Sequence, residues 1–231
     1  MNRAPGLGEG NGVARGIWKA THLVNVAVHI APEVVAGWPD YRAVVVVAEG
    51  LRNGPSDDRS DALLAEAERS ARESGLERAA DDPRIAAWRA VFSQFGSKPS
   101  RYPCSAEALL ARALKGEDLP RINALVDTYN AVSLKYLMPV GGEDLDQLRG
   151  ALRLVRAEDG EVVWRDDEGV TCRRWNWRQE PRTRLTEATT RAFFVFDQLP
   201  PQTALDAAVQ ELIGHLEARS GTARAIEAPS E

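Results

Sequence analysis

The strongest pattern in the chain is a pair of β-branched runs. LVNVAVHI covers Leu23 to Ile30, and RAVVVVA covers Arg42 to Ala48. Runs of this length and composition are typical of buried strands. Pro32, Gly37 and Pro39 interrupt the interval between the runs, which leaves room for a short helical turn. Two buried strands are therefore predicted in the first part of the chain.

Apolar residues at helical spacing follow in later segments. Helices are predicted after Pro55, with Ser56 or Asp57 as the cap, and over residues 83–95, 105–116, about 119–132 and 203–218. The aromatic stripe of the 83–95 segment favours a core position over a ligand site.

Short strand patterns predominate after the last of the central helices. They cover residues 152–155, 161–165, 171–175 and 192–196, and Gly141-Gly142 is expected to break regular structure before them. Helices first and strands later predict an α+β or mixed α/β fold. One domain is predicted over residues 16–219, with a mixed sheet and surrounding helices. Residues 1–15 and 220–231 lack pattern and are expected to be flexible tails.

Composition narrows the setting of the protein. No apolar run approaches the roughly 18 residues of a membrane span, and the N-terminus lacks the apolar core of a secretory signal. Cys104 and Cys172 form no disulfide framework, so a reduced cytoplasmic location is predicted. The net charge of −5 argues against broad, nonspecific nucleic-acid binding, and DNA is not expected as a partner. From Arg173 to Arg191, however, six arginines face only two acidic residues, which predicts a local basic surface.

Several common chemistries have no motif here. His22, His29 and His215 form no HxH or HExxH arrangement, so neither a metal site nor another cofactor is predicted. The chain also lacks a GxSxG elbow, a GxxxxGK[ST] loop and a GxGxxG sequence that opens a helix.

Three segments carry polar groups in unusual patterns. SKPSRYP, residues 97–103, is a polar loop before a helix whose free N–H groups suit an anion. Asp127 and Asn130 lie on one helical face, where they either serve a site or bond an adjoining loop. CRRWNWR, residues 172–178, interleaves aromatic and basic groups, which either stack on one another or accept nucleic-acid bases.

Together these segments resemble a known family. LPRINALVDTYNAVSLKYLMPVGGEDLDQLRG, VVWRDDEGVTCRRWNWR and LTEATTRAFFVF are similar to the B3/B4 editing domain of the phenylalanyl-tRNA synthetase β subunit. FGSKPSRYPCSAEALLARALKGEDLP extends the similarity to free-standing relatives, including the canavanyl-tRNA deacylase type. The resemblance covers about residues 88–197. It implies hydrolysis of a mischarged aminoacyl-tRNA in trans, for example removal of canavanine from arginine tRNA.

The chain departs from the synthetase at important pocket positions. Asn130 keeps the pocket asparagine, whereas Tyr129 stands where the synthetase has threonine. The pocket histidine is replaced by Gly141, and the glutamate of the last shared strand by Phe196, with Asp197 one residue on. The synthetase's acid–base groups and substrate preference therefore do not transfer directly.

The resemblance nevertheless suggests a pocket for the aminoacyl ester. We expect it to be lined by Tyr129, Asn130, Ser133, Gly141, Gly142 and Glu143. Backbone N–H groups of the two glycines are expected to stabilise a developing oxyanion. Asn130 or Thr190 is expected to orient the attacking water.

Charged groups are assigned to the two ends of the substrate. Glu143, Asp144 and Asp197 are candidates for the α-ammonium group or a cationic side chain. The expected tRNA-binding residues are Lys98, Arg101, Arg173, Arg174 and Arg178, with Trp175 or Trp177 as a stacking face. Alternation along a strand would place Arg173 and Arg174 on opposite faces.

Two other functions fit parts of this pattern. One is a non-catalytic module of the same fold that holds tRNA or a synthetase. The other is a small-molecule amino-acid binder, which leaves the arginine cluster unused.

Overall fold

The computed structural model describes residues 26–228. The predicted tail 1–15, the first residues of the Leu23 run and residues 229–231 lie outside this range. The helices of the described part are α1 (Pro32–Gly37), α2 (Asp58–Arg72), α3 (Pro83–Gln94), α4 (Ser105–Leu114), α5 (Ala124–Tyr136) and α6 (Leu205–Glu217). The strands are β1 (Val28–Ile30), β2 (Arg42–Glu49), β3 (Val140–Asp144), β4 (Leu152–Arg156), β5 (Val162–Arg165), β6 (Val170–Arg173), β7 (Arg178–Gln179), β8 (Arg191–Gln198) and β9 (Thr222–Glu227).

The strands form two sheets within one α+β domain, as the sequence predicts for the fold class. An antiparallel sheet has the order β3-β8-β2-β9. The second sheet has the order β1-β4-β5-β6-β7 and is mixed, because β1 runs parallel to β4 while the other pairs are antiparallel. The mixed sheet expected from the sequence is therefore present and is accompanied by a separate antiparallel sheet.

Strand β2 is apolar from Ala43 to Ala48 because both of its faces are covered. Val45 and Val47 belong to a core shared with α2, α3, α4 and the mixed sheet. Val44 and Val46 belong to a second core, shared with α5 and α6. A strand buried on both faces loses the polar alternation of a half-exposed strand, which explains the unbroken run in the sequence.

The beginning of α2 matches one of its two predicted caps. The Asp57 side chain accepts a hydrogen bond from the Ser60 N–H at 2.8 Å, and the Ser60 hydroxyl interacts in return with the Asp57 backbone. Arg219, after α6, donates to both Asp57 oxygens at 2.7 and 2.9 Å. This pair joins the end of α6 to the beginning of α2.

The predicted beginning of α5 near Leu119-Pro120 is wrong. The helix begins at Ala124, because Asn123 is the N-cap and accepts a hydrogen bond from the Val126 N–H at 3.0 Å. Ile122, which falls within the predicted helix, precedes the observed one and is 52% exposed.

Strand β3 corrects another expectation, since Gly141-Gly142 does not interrupt regular structure. Both glycines lie within β3 and pair with Val195 and Phe194 of β8. Strand β3 forms one edge of its sheet, and its residue Glu143 forms an isolated antiparallel bridge with Arg184, after β7.

The expected C-terminal tail is also partly ordered. Residues 222–227 form β9, which pairs antiparallel with β2 along Val44 to Glu49. Weak apolar content hid this strand from the sequence pattern, although hydrogen bonding to a central strand is sufficient to order it. Among the described residues, no helix is long and apolar enough to cross a membrane.

Candidate active site

A cavity of about 180 Å³ lies where the edges of the two sheets meet. Helices α4 and α5, strands β3 and β8, and the mixed sheet with the turn after β6 supply its walls. The structure brings together eight of the residues predicted for the site: Tyr129, Asn130, Gly141, Glu143, Trp175, Trp177, Arg178 and Asp197. The volume is below the roughly 300–1,000 Å³ of sites for drug-sized ligands, so it suits a group of amino-acid size.

Asp197, on β8, is a buried carboxylate with defined partners. Asp197 is only 2% exposed. The Tyr41 hydroxyl donates to Oδ1 at 2.5 Å, and the Asn176 amide donates to Oδ2 at 3.2 Å. Burial raises the pKa of Asp197 to about 6, although these two donors oppose the shift. The carboxylate is thus anchored at both oxygens.

Glu143, on β3, is equally buried but less well satisfied. It is also 2% exposed, and its Oε2 has no hydrogen-bond partner among the described residues. Burial raises the pKa of Glu143 to about 7, while the Thr183 and Thr171 hydroxyls and Arg182 oppose the rise. A buried acceptor without a partner costs free energy, which a bound ligand or water recovers.

The two acids make the inside of the cavity electronegative. Each raises the pKa of the Cys172 thiol, whose largest shift comes from burial. Burial raises the pKa of the Tyr129 hydroxyl well above its usual range, and Glu143 adds to the rise. Neither group is therefore ionised at neutral pH. The cavity favours a cationic ligand group.

Four further buried polar atoms of cavity residues have no hydrogen-bond partner among the described residues. They are Ser105 Oγ, the indole nitrogens of Trp164 and Trp175, and Oδ1 of Asn176. The Asn130 amide also lines the cavity and makes no hydrogen bond within the described part of the chain. Its neighbour Asp127 is structural by contrast, since it accepts from the Ile122 N–H at 2.9 Å.

Trp175 forms the aromatic floor of the cavity and is not a surface for RNA bases. It is fully buried and contacts Trp38, Tyr41 and Trp88 at centroid distances of 4.9, 4.8 and 5.5 Å. Strand β6 ends before it, because Arg174 and Trp175 adopt left-handed φ angles of 45° and 64°. The turn sends Trp175 inward, so its predicted stacking role is wrong.

Trp177 instead lies at the rim and joins the cavity to a basic surface. Its ring meets that of Tyr102 at 4.9 Å, and the Arg174 and Arg178 guanidinium groups lie 5.0 and 5.1 Å from it. Arg174 also stacks on Tyr102 at 3.9 Å and pairs with Glu161 at 2.5 Å.

A second hollow of about 330 Å³ continues this basic surface. Lys98, Arg101, Tyr102 and Arg174 line it, together with Asp159 and Glu161. The predicted tRNA-binding residues other than Arg173 and Trp175 thus meet on one side of the molecule. Arg173 lines neither hollow and pairs with Glu180.

Four of the predicted catalytic and substrate-binding residues do not line the cavity. Ser133 is fully buried and donates to the Met138 carbonyl at 2.7 Å. Asp144 accepts from the Asp146 N–H at 2.9 Å and the Thr189 hydroxyl at 2.7 Å. Thr190 is exposed, and its carbonyl accepts from the Leu51 N–H at 2.9 Å. Gly142 faces the core.

The B3/4 domain family matches residues 87–219, more than half of the chain. The chain belongs to the B3/4 domain family. Every residue that lines the cavity falls within the matched range. Tyr41, which anchors Asp197, lies outside it.

A solved structure is similar to this B3/4 domain protein over most of its length. It is an N-terminal fragment of the phenylalanyl-tRNA synthetase beta-subunit from Pyrococcus horikoshii, with 14% sequence identity and a TM-score of 0.44. The match covers 90% of this chain and 55% of that fragment. No curated protein matches the chain.

The two glycines of β3 have different surroundings in this B3/4 domain. The Asp197 N–H donates to the Pro139 carbonyl at 3.1 Å, and hydrogen-bonded pairs alternate along antiparallel strands. The backbone N–H of Gly141, two residues after Pro139, therefore points toward the paired residue Val195 and is not free to bind an oxyanion. The Gly142 N–H points away from β8, near the Tyr129 hydroxyl.

Sequence reasoning missed some residues that shape the cavity. Trp164, Cys172, Asn176 and Gln179 line it, and Tyr41 supports it. Asn176 had a signal, since it lies inside the RRWNWR segment. Trp164 and Gln179 had none, because only the approach of the two sheets brings them together. Among the described residues, no group of three or more His, Cys, Asp or Glu side chains could hold a metal ion.

The two glycines provide a matched test of this packing. An added Cβ at Gly142 would lie 2.8 Å from atoms of the Phe194 and Tyr129 rings, both in the core. We expect Gly142→Ala to lower the free energy of unfolding by about 1–3 kcal/mol, since core side chains must shift. Gly141→Ala would meet the Gln179 amide nitrogen at 2.7 Å, at the end of a flexible side chain, and should cost less.

Urea denaturation of both variants measures the difference. Neither glycine has a positive φ, so backbone strain does not confuse the comparison. Equal decreases in the free energy of unfolding would show that packing against the Phe194 and Tyr129 rings does not cause the destabilisation.

Proposed function

We propose that this protein hydrolyses the ester bond of a mischarged aminoacyl-tRNA in trans. One observation carries the proposal. The electronegative cavity is of amino-acid size and has Trp177 and Arg178 at its rim. Trp177 in turn contacts Tyr102 and Arg174, which line the second hollow. A site for a cationic amino acid thus adjoins a surface suited to a phosphate backbone and stacked bases.

The amino-acid part of the substrate fits the inside of the cavity. Asp197 and Glu143 offer carboxylates to cationic groups, and the Asn130 amide offers both donors and an acceptor. The α-ammonium group or a cationic side chain of the substrate pairs with one of these acids. An arginine analogue such as canavanine has this chemistry, and we propose a substrate of that class.

The acceptor end of the tRNA fits the rim. Trp177 and Tyr102 provide aromatic faces, and base–aromatic stacking contributes about 1–3 kcal/mol per base. Arg178 has no ion pair within the described residues and is available to a phosphate, as are Lys98 and Arg101. The partly acidic hollow limits this attraction to a few contacts, which suits a protein of net charge −5.

A deacylation screen tests the function. We expect the purified protein to release the amino acid from at least one tRNA charged with a cationic near-cognate amino acid, without cofactor and in the presence of chelator. Asn130→Ala should lower kcat/KM by roughly 10–10³-fold, because the amide faces the ester without any competing internal partner.

Two results would contradict this assignment. Binding of tRNA without turnover on any substrate would favour a non-catalytic module, which holds tRNA or a synthetase. Turnover that chelator abolishes and zinc restores would show a metal-dependent mechanism.

The arginines of the rim give a second prediction. Arg178→Ala should weaken tRNA binding similarly for different attached amino acids and reduce the salt slope by about one phosphate contact. Arg173→Ala is the matched control, since its guanidinium pairs with Glu180 and lines neither hollow. Filter binding at several salt concentrations measures both variants. Equal effects of the two substitutions would show that the rim is not the docking surface.

A further inference from the structure

We infer that Glu143 is the general base of the proposed hydrolysis, and that Asp197 binds the ammonium group of the substrate without transferring a proton. The inference rests on the proposed function and assigns separate tasks to two acids of one cavity. The two carboxylates are alike in burial and location but differ in their hydrogen bonds.

Hydrogen bonding distinguishes the two acids. Both residues are 2% exposed and line the same cavity. Asp197 accepts from Tyr41 on one oxygen and from Asn176 on the other, so its position and orientation are fixed. Glu143 keeps Oε2 without a partner among the described residues. A general base needs a lone pair that no donor occupies, and Glu143 Oε2 has one.

The surroundings of Glu143 also separate it from a structural ion pair. Arg182, on the turn after β7, is the cation that favours its ionised form, but this guanidinium donates to Asp166 Oδ1 at 2.7 Å. Tyr129 of α5 and Cys172 of β6 face Glu143 from the other walls, and burial keeps both neutral. No cation of the described residues is within salt-bridge distance of Glu143, so its carboxylate is available for proton transfer.

Burial supports this role by adjusting acidity. It raises the pKa of Glu143 to about 7, where a base is both substantially ionised and basic enough to take a proton at neutral pH. Burial raises the pKa of Asp197 from 3.8 to about 6, while the side chains of Tyr41, Asn176, Trp164 and Trp175 favour the carboxylate form. Asp197 is therefore mostly ionised at neutral pH, as an ammonium-binding group must be.

The reaction balances with these two acids and water. The Glu143 carboxylate takes one proton from water as the water oxygen bonds to the ester carbonyl carbon. The tetrahedral intermediate then loses the ribose oxygen, and this leaving oxygen receives the proton from Glu143. The products are free tRNA and the amino acid, and the Glu143 carboxylate is regenerated.

Glu143→Gln tests the assignment, because it preserves shape while removing the base. On a mischarged tRNA that the wild-type protein hydrolyses, we expect kcat to fall roughly 10²–10⁴-fold, with KM and tRNA affinity near wild type. Asp197→Asn should instead raise KM chiefly. Glu107→Gln is the matched control, a buried acid on α4 that pairs with Arg89 outside the cavity.

The pH profile of the wild-type protein provides a measurement that needs no variant. Since a base acts when deprotonated, kcat/KM should rise with pH and level off above about 7. The residual activity of Glu143→Gln should lose this inflection but keep any inflection due to the substrate amino group.

The outcomes separate this inference from the proposed function. Wild-type hydrolysis with an unchanged rate and profile in Glu143→Gln overturns the assignment of the base alone. A wild-type profile without an inflection between pH 6 and 8 does the same, even if the variant fails to fold. Wild-type protein that hydrolyses no aminoacyl-tRNA contradicts the proposed function and the base together.

Discussion

The burial of two carboxylates between the sheets is the constraint on which the site depends. An ionised group inside a protein is costly unless hydrogen bonds or opposite charges compensate it. Asp197 receives this compensation from Tyr41, just before β2, and from Asn176, in the turn after β6. The hydrogen bonds therefore tie the two sheets together at the cavity. Trp175 packs on Tyr41 at 4.8 Å and closes the floor beneath them.

Glu143 shows the opposite arrangement, because its burial is only partly compensated. Two threonine hydroxyls and a shared arginine reduce the cost, while one carboxylate oxygen remains without a partner. A fold optimised for stability alone would fill this position with an apolar side chain or pair the charge. Proteins retain such uncompensated groups where function needs them, at some expense in stability. This imbalance distinguishes the cavity from an ordinary packing defect.

Much of the secondary structure could be predicted from the sequence, because hydrophobic periodicity and helix-capping residues are local signals. The apolar run of β2, the Asp57 cap of α2 and the aromatic stripe of α3 each reflect a local cause. Strand β3 was missed because its glycines lack side chains, and the pairing that orders it comes from β8. Strand β9 was missed for a similar reason.

The site could be predicted where polar residues lay in segments that resemble the editing-domain family. Asn130 was identified at a position that matches the synthetase pocket. Glu143 and Asp197 were identified as candidates to bind a cationic group, and the structure places all three at one cavity. The roles of Trp175 and Trp177 could not be assigned from sequence, since the left-handed turn at Arg174 decides which ring is buried. Trp164 depends on the meeting of two sheet edges, which no local pattern records.

The free energy of unfolding of Glu143→Gln relative to wild type, measured at pH 8 and pH 5, tests the central claim most directly. The pKa of Glu143 is raised from 4.5 to about 7 in the folded protein, so folding is penalised when this group is ionised. The penalty is full at pH 8 and shrinks as pH falls toward 5, where the folded protein protonates Glu143. The account predicts a variant more stable than wild type at pH 8, with the advantage reduced at pH 5. A variant less stable than wild type at pH 8 would show that the carboxylate is a satisfied structural group, contradicting the account.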